Sequence, residues 1–144
     1  MQYEITFKNK ITPGELNALR KSVGWKPYDD ETAKTVTENS RFAAAYCGDV
    51  LCGAARWFWD GGAIAVVCDV AVSPEYGGSG IGKKTVCRAL QDIKSRLPKG
   101  GKVTVYLMSA KGKEPFYEKC GFTVRPNEDL GAGVTVELCA ESRM

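Results

Sequence analysis

Residues Gly77-Gly78-Ser79-Gly80-Ile81-Gly82 place four glycines in six positions and lead directly into Lys83 and Lys84. A tight turn needs fewer glycines than this. Glycines that carry a chain from a strand into a helix leave backbone N–H groups unhindered at the positive end of the helix dipole, and that arrangement holds an anion, typically a phosphate. The spacing nearly matches the nucleotide loop G-x-x-x-x-G-K. However, Lys84 stands where a Ser or Thr should reach magnesium, and the loop follows the third of three antiparallel runs rather than the first strand of a parallel sheet. A dinucleotide fold asks for G-x-G-x-x-G, whereas Gly78, Gly80 and Gly82 are spaced G-x-G-x-G.

The chain contains no histidine, so the commonest general base, the Ser-His and Cys-His pairs and every histidine-containing zinc site are excluded. Six cysteines, Cys47, Cys52, Cys68, Cys87, Cys120 and Cys139, include no C-x-x-C pair. Several of them lie in apolar runs, where a reduced thiol behaves as a small buried hydrophobe, and no metal is expected. Lys and Arg outnumber Asp and Glu by 20 to 17 and are scattered, so bulk charge points to neither nucleic acid nor an anionic membrane surface. The N-terminus lacks a basic segment followed by an apolar one, and no run of about 18 apolar residues occurs; a cytoplasmic protein is expected.

The elements that must position the loop can be traced along the chain. At 144 residues, with 44% hydrophobic and 26% charged, the expectation is one globular domain over residues 1–144. After an apolar start at Tyr3 to Phe7, Thr12-Pro13-Gly14-Glu15 has capping-box spacing with Pro13 at the first helical position. Leu16, Leu19 and Val23 then share a face and Gly24 ends the helix. Asp29 or Asp30 can cap a second helix reaching Asn39-Ser40. Phe42 to Cys47, Val50 to Trp59 and Ala63 to Val72, separated by short Gly/Asp turns, read as an antiparallel meander. The glycine loop opens a helix whose apolar face holds Val86, Leu90, Ile93 and Leu97. Val103, Val105 and Leu107 then alternate as a strand parallel to the third meander strand. A short helix from Pro115 to Cys120 is closed by Gly121, and Phe122–Val124 and Val134–Leu138 are expected as final strands.

Two stretches carry a likeness to a known family. Asp69-Val70-Ala71-Val72-Ser73-Pro74-Glu75-Tyr76-Gly77-Gly78-Ser79-Gly80-Ile81-Gly82 resembles motif A of the GNAT family of N-acetyltransferases. Pro115-Phe116-Tyr117-Glu118-Lys119-Cys120-Gly121-Phe122 resembles their motif B, in the same order and spacing. Ser22-Val23-Gly24-Trp25, the hairpin from Gly53 to Gly61, Arg125-Pro126-Asn127 and Gly131-Ala132-Gly133 are similar to a group of small bacterial members. The resemblance implies an α/β fold with a mixed sheet of six or seven strands: an antiparallel meander, then a parallel β-α-β unit around the glycine loop, with helices on both faces. It also implies transfer of an acetyl group from acetyl-CoA directly to an amine; a small-molecule acceptor is favoured over a protein, and polyamine, amino acid, arylalkylamine, antibiotic and protein amines all stay open.

Carried over residue by residue, the pantetheine and acetyl group lie against Val70, Ala71 and Val72. The phosphates sit on Gly77, Gly78, Ser79, Gly80, Ile81 and Gly82 with Lys83, and Phe116 and Lys119 belong to the cofactor side. The family loop usually begins with Arg or Gln; here Gly77 takes that place, so backbone donors with Lys83 nearby must supply the grip. Tyr117 matches the tyrosine that protonates the departing thiolate, and a phenol with an ordinary pKa of about 10 is protonated at neutral pH. Asp69 is the one acidic residue of the central strand. Strand parity puts it with Ala71 and puts Cys68 with Val70 and Val72, and both a base and a structural hydrogen-bonding role are open. Trp25, Tyr28, Arg56 and Trp57 lie on segments flanking the acceptor side, and core or rim packing is equally open for each of them. The expected partners are an amine substrate and a second copy of the chain in a homodimer. A non-catalytic, regulatory CoA-binding domain is the alternative.

Overall fold

A computed structural model describes residues 3–140; residues 1, 2 and 141–144, which the expected single domain includes, lie outside the described residues. The chain forms two compact units, Met1–Leu107 and Met108–Met144.

In the first unit, β1 (Ile5–Lys8) precedes two helices, α1 (Pro13–Ser22) and α2 (Asp30–Asn39). The capping box forms as its spacing predicts: Thr12 Oγ1 accepts the Glu15 N–H at 3.0 Å, and Glu15 Oε1 accepts the Thr12 N–H at 3.0 Å. The second Glu15 oxygen accepts the Tyr46 hydroxyl at 2.8 Å, which ties the first turn of α1 to the sheet. Asp29, rather than Asp30, caps α2 by accepting the Thr32 N–H at 2.8 Å. Strands β2 (Arg41–Cys47), β3 (Val50–Trp59) and β4 (Ile64–Val72) form the expected meander. A single 3₁₀ turn, Pro74–Tyr76, leads to α3 (Ile81–Ser95), which crosses to β5 (Thr104–Leu107). The sheet order is β1-β2-β3-β4-β5, and β5 runs parallel to β4 with Ile64 opposite Thr104 and Val67 opposite Leu107.

Two layers of side chains sandwich this sheet. Leu16 and Leu19 of α1 pack on Phe42, Ala44, Tyr46, Ala54 and Ala71, while Ala89 and Ile93 of α3 pack on Ala43, Ala55, Trp57, Ala65 and Val67. The strand alanines are almost wholly buried, and their small side chains let the helices approach the backbone closely. Gly53 carries this furthest: a Cβ there would stand 3.2 Å from the Ala71 carbonyl oxygen and 3.2 Å from Ile81 Cγ2 at the start of α3.

The alternation along β4 is broken once. Ala54 faces Ala71 and Arg56 faces Cys68, so two β4 residues, Asp69 and Val70, stand opposite Ala55 alone. Asp69 takes φ 49°, the one positive value outside glycine among the described residues. This bulge moves Ala71 to the α1 face although Ala65 and Val67, of the same parity, lie under α3.

The second unit contains α4 (Glu114–Lys119), closed by Gly121 at φ 101°. A loop follows in which the Asn127 side chain accepts the N–H groups of Asp129 and Leu130 at 2.9 and 3.0 Å. The sheet has five strands rather than the six or seven expected, because Phe122–Val124 and Val134–Leu138 form none among the described residues. Val134, Val136 and Leu138 are 90%, 71% and 67% exposed, so their strand-like alternation has no ladder to join. No disulfide joins the cysteines. Only Cys52 among them is buried and Cys139 is exposed, contrary to the expectation of buried thiols.

The close approach at Gly53 gives a direct test. Gly53→Val should destabilise the protein by about 1–3 kcal/mol in urea titrations by overpacking the β3–β4–α3 junction. Gly62→Ala in the β3–β4 turn, where a Cβ meets nothing nearer than Asp60 Oδ1 at 3.7 Å, should change stability by less than about 0.5 kcal/mol.

Candidate active site

The glycine loop is built by consecutive turns. The Tyr76 N–H bonds to the Ser73 carbonyl at 2.9 Å, the Gly77 N–H bonds to the Pro74 carbonyl at 3.1 Å, and the Ser79 hydroxyl bonds to the Tyr76 carbonyl. Gly78 and Gly80 take φ 75° and 81°, backbone that a side chain would strain. Gly77 does not: at φ −61° and ψ 150° it is ordinary extended backbone. Gly80 caps α3 without any side chain, and no acidic residue occupies the first turn. The first intrahelical bond runs from Lys84 N–H to Gly80 at 3.2 Å, so the N–H groups of Ile81, Gly82 and Lys83 are the unused donors of a fifteen-residue helix. Ile81, 2% exposed, pins this end into the core beside Ala45 and Cys52, while Lys83 and Lys84 are exposed. Such donors, rigidly held and unopposed by negative charge, suit an anion.

Beside the loop, β4 outruns its parallel neighbour. The last β5 partner is Leu107 opposite Val67, yet β4 continues to Val72, so beyond Val67 it is paired on its β3 side alone among the described residues. Val70, Ala71 and Val72, the residues expected to line the cofactor's pantetheine arm, therefore have strand-type backbone groups on the β5 side available for a ligand.

The bulge carries a charged cluster. Asp69 Oδ1 accepts Arg20 Nη1 at 3.0 Å, and Asp69 Oδ2 accepts Arg56 Nη1 at 3.1 Å and the Tyr28 hydroxyl at 3.4 Å. Arg20 Nε also donates to the Lys26 carbonyl at 3.0 Å, and Arg56 Nε donates to Ser40 Oγ at 2.8 Å. The Arg20 guanidinium lies 4.0 Å from the Tyr28 ring centre and 5.4 Å from that of Trp25. Burial, followed by the charge of Asp69, raises the Tyr28 pKa above its ordinary value while Arg20 and Arg56 oppose the rise. Burial likewise pushes the Cys68 thiol up to about 11. Cys68 feels the charges of Arg56, Asp69 and Arg20, so the bulge takes it out of the alternation that strand parity assigned it with Val70 and Val72. Both Asp69 oxygens are occupied as acceptors, an arrangement suited to holding the bulge.

The structure thus brings Trp25, Tyr28, Arg56 and Asp69 together and sets Trp57 apart on the opposite face of the sheet, 2% exposed beneath α3. Arg20 and Ser40 complete the cluster without any signal in sequence spacing, since Arg20 lies 49 residues from its partner. In the second unit, Phe116 and Tyr117 lie on α4 with ring centres 5.1 Å apart, and Phe122 stands 6.0 Å from Tyr117. The Tyr117 hydroxyl has no hydrogen-bond partner among the described residues. Burial, and then the charge of Cys120, raises its pKa, so it holds its proton at neutral pH. Lys119 is exposed.

Removing the carboxylate should leave two half-buried guanidiniums unpaired. Asp69→Ala is expected to cost about 2–4 kcal/mol in chemical denaturation, towards the lower end for a broken buried pair because the three side chains retain 15–19% exposure. Asp69→Asn, which tolerates positive φ and keeps an acceptor oxygen, should cost less than half as much.

Comparison with known proteins agrees with this architecture. The family model described as an acetyltransferase (GNAT) domain matches residues 38–124. An uncharacterised N-acetyltransferase, ycf52-like, from Prochlorococcus marinus is 32% identical over 132 residues, covering 87% of this chain and 71% of the relative. A protein of unknown function from methicillin-resistant Staphylococcus aureus, a probable acetyltransferase, superposes with a TM-score of 0.79 at 26% identity, covering 94% of this chain and all of that one. An aminoglycoside acetyltransferase from an uncultured soil metagenomic sample, solved with sisomicin, shares the fold with a TM-score of 0.64 at 16% identity, covering 92% and 97% of the two chains. With its domain model spanning more than half of the sequence and the ycf52-like relative matched over most of its length, the chain belongs to the GNAT acetyltransferase family.

Proposed function

We propose that the protein is a single-domain cytoplasmic enzyme that moves an acetyl group from acetyl-CoA directly to the amine of a small molecule. The observation that carries this reading is the uncapped N-terminus of α3 behind a glycine loop, with no acidic side chain in its first turn. Two features support acetyl-CoA: N–H donors at residues 81–83 for the pyrophosphate and the β5-side edge of Val70–Val72 for the pantetheine amides, both unpaired among the described residues. When bound, acetyl-CoA supplies an acetyl group activated as a thioester; the amine nitrogen gains the acyl carbon as the C–S bond breaks, and the thiol is released.

The chain's own residues hold and move the proton of that exchange. Tyr117, protonated at neutral pH and without a hydrogen-bond partner among the described residues, is proposed as the acid for the leaving sulfur. Asp69 is proposed as a positioning residue for the β4 bulge rather than the base, since its oxygens are taken by Arg20, Arg56 and Tyr28. The amine proton then leaves through water. Trp25 and Tyr28 form the aromatic wall proposed for the acceptor side.

Three measurements test this reading. Mass spectrometry of a panel of polyamines, amino acids, arylalkylamines and aminoglycosides incubated with protein and acetyl-CoA should show one acetyl increment on at least one amine. CoA binding without transfer to any amine would favour the regulatory alternative. CoA should raise the melting temperature by binding the native state, and ATP with magnesium should do so much less. Tyr117→Phe should keep CoA affinity and lower turnover by roughly 10–10⁴-fold.

The backbone at Gly77 sharpens a further expectation. Because φ there is −61° and a Cβ would meet the Pro74 carbonyl oxygen at 3.3 Å, a shift of a few tenths of an ångström admits a side chain. Gly77→Arg should therefore tighten CoA binding by about 1–2 kcal/mol in calorimetric titrations, the worth of a charge-assisted hydrogen bond. Gly80→Arg, forced to φ 81°, should lose stability without that gain.

A further inference from the structure

On the α3 side of the sheet, away from the glycine loop, the first unit holds a pocket of about 450 Å³ between Lys8 and Lys10 at the end of β1, Trp57, and Arg88, Asp92 and Arg96 along the second half of α3. Its charge is predominantly positive, with Lys10, Arg88 and Arg96 against Asp92. Arg88 pairs with Asp92 at 3.2 Å, an i,i+4 pair of the kind any exposed helix makes, and Arg96 at the helix C-terminus complements the dipole. Neither effect accounts for Lys10. Among the described residues, Lys8, Lys10 and Arg96 have no carboxylate within ion-pair distance.

Two features separate the pocket from an ordinary basic surface. Two of its cations are seated on aromatic faces: the Arg88 guanidinium lies 5.2 Å from the Phe7 ring centre and the Arg96 guanidinium 5.6 Å from that of Trp57. Seating of this kind restrains long side chains before any ligand arrives. In addition, the Trp57 indole Nε1, in a side chain 2% exposed, is the one buried side-chain polar atom without a hydrogen-bond partner among the described residues. Trp57 is itself a lining residue of the pocket, so an acceptor that enters deeply enough to reach the buried indole N–H satisfies it.

We propose that this pocket is a second anion site, which takes a small phosphorylated metabolite. A phosphate monoester carries close to two negative charges and three acceptor oxygens, enough to engage the Lys10 ammonium, the Arg96 guanidinium and an indole N–H together. The volume lies within the usual range for small-molecule sites. The glycine loop, proposed above for the pyrophosphate of CoA, lies at the other end of the same helix.

The test is a two-dimensional ¹H–¹⁵N NMR titration of the full chain, with CoA saturating so that the glycine loop is filled and its own amides report that binding. Inorganic pyrophosphate should move the assigned Trp57 indole resonance saturably. The Lys10→Glu/Arg96→Glu double variant, changed only at exposed positions, should weaken this response at least about tenfold while leaving the CoA-induced shifts of residues 81–83 in place. Absence of a saturable indole shift, or an equal shift in the double variant, would overturn the site. A response to citrate as strong as that to pyrophosphate would overturn the assignment to phosphate.

Discussion

The constraint on which the site depends is the left-handed residue at the middle of β4. An aspartate at φ 49° in a central strand costs free energy, and two arginines from different elements, Arg20 of α1 and Arg56 of β3, offset that cost by gripping its carboxylate. The bulge so held reverses the facing of every residue after it. Ala71 is thereby sent under α1, and Val70 and Val72 are brought to the α3 side, where Val72 packs near Ile81 at the head of the glycine-loop helix. The facing of Val70, Ala71 and Val72, and the place of Tyr28 beside Asp69, follow from this one irregularity.

What could be read in advance follows from how local each signal is. The Thr12 capping box, the alternation of the meander strands, the glycine loop and the alternation of β5 are each written in residues a few positions apart, and all formed. The bulge could not be read, because a break in alternation at Asp69 depends on Arg20, 49 residues away, and no periodicity encodes such a pair. The same break separates Cys68 from Val70 and Val72, with which simple parity grouped it. Trp57 looks like a neighbour of Arg56 in sequence, yet adjacent strand residues face opposite ways, and burial under α3 separates it from the other aromatics.

The second unit shows the converse. Val134, Val136 and Leu138 alternate as well as any strand in the chain, but a β-strand is completed by a partner's hydrogen bonds and not by its own pattern. The helix of that unit, by contrast, was legible, since Gly121 stops it locally at φ 101°.

Helix α3 has a consequence of a mechanical kind. Fifteen residues make a rod of about 22 Å, with the glycine loop at its head and Arg88, Asp92 and Arg96 along its tail. Val86, Ala89 and Ile93 fix it against the sheet by close packing, so it moves as one piece or not at all. Displacement at one end is displacement at the other, and thermodynamic reciprocity then applies: whatever factor an occupant of the tail imposes on affinity at the head, an occupant of the head imposes on the tail.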